Sequence, residues 1–149
     1  MYFLLKQFWE WLPIPYEEYA TNGTPQLHGS YEDEFPFFSE LLSYAELIVE
    51  KEFVGDEYID DLLTIMALDN ETEYVLDLIE TDSSNYQFQH IVSSGITHPL
   101  YNARWQLAEL IYRRQPMQYD FYLQVLSSDS HPYVQKRAMN CIERIKRES

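Results

Sequence analysis

Asp56, Glu57, Asp60 and Asp61 place four carboxylates about one helical turn apart in this 149-residue chain. Grouped carboxylates can hold a hard metal ion. A calcium loop, however, needs acids at alternate positions before a glycine, and no D-x-D-x-D-G run is present; no His or Cys stands nearby to complete a transition-metal set. A solvated acidic face meeting water or a cationic partner is the chemistry expected here, and Glu32, Asp33 and Glu34 add a second acidic run of the same kind. His98 and His131 each precede a proline, 33 residues apart. Matched positions of this sort suit turn or capping residues ahead of a helix better than ligands or bases, and His28 and His90 have no companion at ligand spacing. Nucleophile chemistry is absent too. Ser93-Ser94-Gly95 lacks the G-x-S-x-G elbow and a preceding strand, and Cys141 lies on an apolar stripe. Four scattered glycines make no phosphate loop. No catalytic residue, metal or cofactor is expected, so the chain reads as a non-enzyme.

Charge narrows the partners. Residues 1–80 hold 19 acids against two bases, Lys6 and Lys51, a net of −17; residues 81–149 hold six acids against eight bases, a net of +2. More than half of the molecule therefore repels nucleic acid and attracts a basic protein, unless the acidity serves solubility alone. The most apolar end, Met1 to Ile14, is interrupted by Lys6, Gln7 and Glu10 and is too short to cross a membrane; it has neither a basic start nor a cleavage site of the secretory kind. One cysteine permits no internal disulfide and suits a reducing compartment. A cytoplasmic protein without membrane partners is expected.

The elements that position these residues are helices. Ile59, Leu62, Leu63 and Met66 recur at helical spacing after Asp56. Asn70 with Glu73 has the form of an N-cap pair before Val75, Leu76 and Ile79. A helix over about 85–94 buries Phe88, Ile91 and Val92, with Gly95 placed for a left-handed C-terminal residue. Thr97-His98-Pro99 opens a longer helix through Leu107 and Ile111, Gln115-Pro116 closes it and starts another, and Val134, Ala138, Cys141, Ile142 and Ile145 line the last. Ahead of these, Leu4, Phe8 and Trp11 line a short helix stopped by Pro13 and Pro15, residues 16–30 read as an exposed turn-rich loop, and helix resumes near Phe37 to end before Gly55.

The chain also repeats itself. HPLYNARWQLAELIYRR laid over HPYVQKRAMNCIERIKR matches His, Pro, Arg104 with Arg137, and Arg114 with Arg147, each segment following a shorter amphipathic helix. In the second unit Asp129, Pro132, Val134, Arg137 and Ala138, with Cys141-Ile142 one turn on, resemble the second helix of a HEAT repeat. The first unit departs from the pattern, with Trp105 in place of the small Ala138, and a degenerate third unit can be laid over residues 57–80. The resemblance implies an all-α chain: a short α-solenoid of HEAT-like helical hairpins over 56–149 behind an N-terminal helical cap over 1–55. It also implies a binding surface rather than catalysis, and short acidic HEAT-like proteins are similar to immunity-type proteins that pair with toxins. The partner-binding residues expected are Glu32, Asp33, Glu34, Glu57, Asp60, Asp61 and the adjacent pair Arg104–Trp105, which offers an interface anchor although Arg104 would equally tie neighbouring turns. The alternatives are an oligomerising subunit that self-associates through its tyrosine-rich N-terminal region, with Tyr16, Tyr19, Tyr31, Tyr44 and Tyr58 among the acids, and a nucleic-acid-processing enzyme on the same scaffold.

Overall fold

A computed structural model describes residues 1–24 and 31–149, and all regular structure among them is helical. The helices are α1 (Phe3–Trp11), α2 (Tyr16–Asn22), α3 (Phe38–Glu50), α4 (Asp56–Leu68), α5 (Tyr74–Asp82), α6 (Asn85–Gly95), α7 (Tyr101–Arg114), α8 (Tyr119–Ser127) and α9 (Pro132–Glu148), with a 3-10 turn at Glu32–Glu34. No helix among the described residues is long and apolar enough to cross a membrane.

Two helices organise the core. Seven successive residues of α4, Leu62 to Leu68, are buried, because α4 packs against α3, α5, α6 and α7. The helix is surrounded, so its apolar stripe widens until even Thr64 goes inward. Helix α7 has the same central place in the second half, touching α2, α4, α5, α6, α8 and α9, whereas α9 packs on α7 and α8. The α6–α7 and α8–α9 hairpins thus lie side by side with α7 against α9, an arrangement compatible with stacked hairpins. Buried amides stitch the layers: Gln106 Nε2 donates to the Met66 and Asn102 carbonyls, both at 2.8 Å, and Gln87 Nε2 to the Ile48 and Phe53 carbonyls at 3.0 and 2.9 Å.

Local punctuation differs from the sequence pattern at five places. Residues 16–22 are helix rather than loop, because Tyr19 is wholly buried against the Phe8 and Trp9 rings and its hydroxyl donates to Glu32; the rest of that loop from Pro25 to Ser30, with His28, lies outside the described residues. Helix α2 stops at Gly23, whose φ of +66° only glycine adopts without strain. Helix α5 is capped by Asp69, which accepts the Val75 N–H at 2.8 Å, while Asn70 turns back to donate to the Ala67 carbonyl at 2.9 Å. Gly95 ends α6 in ordinary helical geometry; what it supplies is room, since a Cβ there would lie 2.8 Å from Leu107 Cδ2 and 3.2 Å from Leu63 Cδ2. Finally, α7 begins at Tyr101 and α8 at Tyr119, so Pro99 and Pro116 precede helices without entering them, whereas Pro132 is the first residue of α9.

Candidate functional site

The apolar residues Leu41, Ala45, Ile48 and Val49 turn α3 inward and leave Glu40, Glu46 and Glu50 outside. On α5, Val75, Leu76 and Ile79 do the same for Tyr74, Asp77 and Asp82. Since α3 and α5 pack side by side, their outer edges enclose a groove of about 440 Å³ lined by Glu46, Glu50, Glu52, Asp82, Tyr74 and Leu78, with Val49 beneath. The Tyr74 hydroxyl donates to Glu46 Oε1 at 2.9 Å, and this hydrogen bond raises the phenol above its ordinary value. Among the described residues no base forms an ion pair with Glu46, Glu50, Glu52 or Asp82. Four carboxylates around an aliphatic floor suit a Lys or Arg side chain, whose methylene stem packs on Val49 and Leu78 while its charged head meets the acids.

Several arginines of the second half are already engaged by other groups. Arg113 pairs with Asp77 at 3.1 Å, Glu80 at 2.9 Å and Glu109 at 3.3 Å. Glu109 is buried on α7 and also faces Arg137 at 3.7 Å and Arg144 at 3.6 Å. Arg114 donates to the Ile79 and Ser83 carbonyls and to Asn85, and its guanidinium lies 4.2 Å over the Phe88 ring. Arg104, Arg113, Arg114, Arg137 and Arg144 are thus engaged by other groups of the fold, whereas Lys136, Lys146 and Arg147 lie exposed.

The expected partner-binding residues fare differently from one another. Asp33, Glu34 and Glu57 lie exposed, with Glu57 beside the Met1 amine. Glu32 does not: it is buried, accepting from the Tyr19 and Thr24 hydroxyls, so the 3-10 turn presents two acids outward and one inward. The four acids of α4 also divide. Asp56 and Glu57 face solvent. Asp60 Oδ1 lies 3.1 Å from the buried His98 Nε2, and that hydrogen bond holds its carboxyl below the usual range. Asp61 is buried, accepting the Tyr2 N–H at 3.1 Å and the Tyr44 hydroxyl at 3.4 Å; burial raises its carboxyl and pushes the Tyr44 phenol up to about 12. A single solvated stripe is therefore the wrong description of Asp56, Glu57, Asp60 and Asp61. The turn that points Ile59 and Leu62 into the core carries Asp61 in with them.

Arg104 and Trp105 also turn inward. Arg104 grips Asp129 with two bonds, Nε to Oδ2 at 2.8 Å and Nη2 to Oδ1 at 3.1 Å, and donates to the His98 carbonyl at 2.7 Å. Trp105 is 6% exposed, donates its Nε1–H to Asn102 Oδ1 at 2.7 Å, and lies beneath the Arg137 guanidinium at 4.4 Å. The pair ties the two hairpins together and leaves little side chain for a partner. The groove residues escape a sequence search because Glu46, Glu50 and Asp82 stand at ordinary surface positions of two helices and Glu52 in the turn after α3, and only the packing of α3 on α5 gathers them. No three or more His, Cys, Asp or Glu side chains among the described residues are grouped as a metal site would require. No protein-family model, curated protein or solved structure matches the chain.

Proposed function

We propose that the protein is a non-enzymatic binding module for a basic protein, and in its most specific form an immunity-type inhibitor that covers a cationic toxin. The observation that carries this reading is the α3–α5 groove: Glu46, Glu50, Glu52 and Asp82 surround an aliphatic floor with no base paired to them among the described residues. A surface of this kind steers a cationic partner and speeds encounter more than it strengthens the final contact. The net charge of −15 acts in the same direction over a longer range. HEAT-like stacking of the hairpins would give the partner a continuous surface beside the groove.

The test is association with a basic protein that co-purifies from the native cell, measured at rising salt with the wild type and with the charge-reversing pair Glu46→Lys and Glu50→Lys. Both positions are exposed, so the fold tolerates the change. The association rate is expected to fall roughly tenfold or more between low and physiological salt and to fall again in the double variant. Binding that ignores both salt and the reversed charges overturns the proposal.

A further inference from the structure

We infer that Arg114 anchors a second binding site, a pocket between the start of α6 and the α7–α8 turn that takes a carboxylate carried on an apolar body. Arg104 shows how this chain holds a carboxylate. Its Nη1 donates to two carbonyls, His98 at 2.7 Å and Pro99 at 3.2 Å, while Nε and Nη2 together grip Asp129. Arg114 begins in the same way. Its Nη1 donates to the Ile79 and Ser83 carbonyls at the end of α5, at 3.2 and 3.0 Å. The other edge differs: Nη2 donates to the neutral Asn85 Oδ1 at 2.8 Å, and among the described residues the Nε–H meets no acceptor and the guanidinium no carboxylate. A guanidinium has five N–H donors in a fixed fork, and the Nε/Nη2 edge is the one that matches a carboxylate.

Arg114 lines a pocket of about 500 Å³, a volume of the size that holds one small ligand, and it is the sole charged residue of that lining. The Phe88 ring supports the guanidinium from 4.2 Å. Burial lowers the guanidinium from its ordinary value, because it costs the cation its hydration. An anion brought to the free edge offsets that cost. The acid that acts on Arg114 from nearby is Glu80, and its carboxylate is held by Arg113 at 2.9 Å.

The rest of the pocket selects an apolar body behind the charged head. The two most exposed large apolar side chains among the described residues, Met117 at 83% and Tyr86 at 68%, both stand on it. Tyr86 comes from the first turn of α6 and Met117 from the α7–α8 turn. That turn is held by left-handed backbone at Gln115 and Gln118, with φ of +43° and +63°. Residues with a side chain adopt this conformation at a cost, and such strain gathers at ligand sites. Asn85, Gln89 and Gln115 line the same space and add amides for further hydrogen bonds. An apolar group with a carboxylate is the chemistry shared by a small aromatic or aliphatic acid and by the terminal residue of a peptide. The pocket has no residue in common with the α3–α5 groove, so its occupancy is independent of a basic partner.

Proton–nitrogen NMR of the arginine Nε–H signals, on the whole chain in mildly acidic buffer, tests this. Salt of about 0.15 M gives a Debye length of about 8 Å and screens the distant acids. Phenylacetate is expected to move the Arg114 Nε–H signal downfield until it saturates, whereas phenylacetamide, the same ring without the charge, leaves it in place. Acetyl-phenylalanine and its amide repeat the comparison for a peptide end, and the tighter of the two acids identifies the source. Asn85→Asp sets a carboxylate of the chain's own beside Nη2. Asn85 is exposed at the first position of α6, where an acid favours the helix, so the fold is kept. Phenylacetate binding is expected to weaken about tenfold or more in that variant, and about fivefold in Tyr86→Ala, which loses part of the apolar wall. No saturable shift with either acid, an equal response to the amides, or unchanged binding in Asn85→Asp overturns the inference. Inorganic phosphate that binds as tightly as phenylacetate overturns it as well, because the apolar wall would then select nothing.

Discussion

Removing Arg104 should unfasten the two C-terminal hairpins from each other, and the size of the loss follows from its surroundings. Its guanidinium and the Asp129 carboxylate are 12% and 8% exposed, joined by two bonds at 2.8 and 3.1 Å, and a third donor reaches the His98 carbonyl at 2.7 Å. Arg104→Met keeps the stem and deletes the charge. Asp129 then remains in a nearly dry site, its carboxylate still accepting the His131 N–H. Breaking one side of a buried pair costs about 3–5 kcal/mol, and the slight exposure here places the expected loss near the lower end, about 3 kcal/mol. Asp129→Asn should cost about 2 kcal/mol, because its amide oxygen still accepts one bond. If the single losses arise from stranded polar groups, the double variant recovers part of them, and the cycle returns a coupling of about 2 kcal/mol. Urea unfolding followed by circular dichroism measures all four proteins. Additive losses, or a loss below about 1 kcal/mol for Arg104→Met, would refute the view that this pair carries the junction between hairpins.

Two further predictions rest on buried titratable groups. Burial pushes the Asp69 carboxyl up to about 6 from the ordinary 3.8 despite the helix-capping N–H it accepts from Val75. The folded chain therefore binds this proton more tightly than the unfolded one, so its contribution is full below about pH 4 and disappears as pH rises to about 6, by up to about 3 kcal/mol. Asp69→Asn keeps the cap and should flatten that part of the stability–pH profile; parallel profiles for the two proteins would contradict the assignment. Burial and neighbouring Glu109 raise the Cys141 thiol to about 11, so at about pH 8 it should resist an aromatic disulfide reagent until the chain unfolds. Full labelling within seconds under native conditions would exclude the buried setting.

Helix type and order were legible in the chain because they depend on short-range periodicity. The spacing of Val134, Ala138 and Cys141 identifies the inward face of α9 without any knowledge of what covers it, and all three are buried. The punctuation was harder to read. Both Asn70 and Asp69 can cap a helix, and the choice between them depends on which one the α4–α5 turn folds beneath Val75. Gly95 announces a special position, but a left-handed turn and a close approach to Leu107 leave the same letter in the sequence. Helix α2 was hidden because seven residues contain little periodicity; Tyr19 docking against Phe8 and Trp9 stabilises it from outside.

The chain by itself determined an all-helical protein with an acidic first half and a basic excess in the second, since composition and the 3.6-residue period are local properties. Tertiary packing decided which charges remain at the surface. It buried Glu32, Asp61 and Asp69, locked Arg104 onto Asp129, and gathered Glu46, Glu50, Glu52 and Asp82 around one groove. A carboxylate has the same letter whether it meets water or a tyrosine hydroxyl. Only the neighbours brought by other helices, through desolvation and hydrogen bonding, determine which of the two it does.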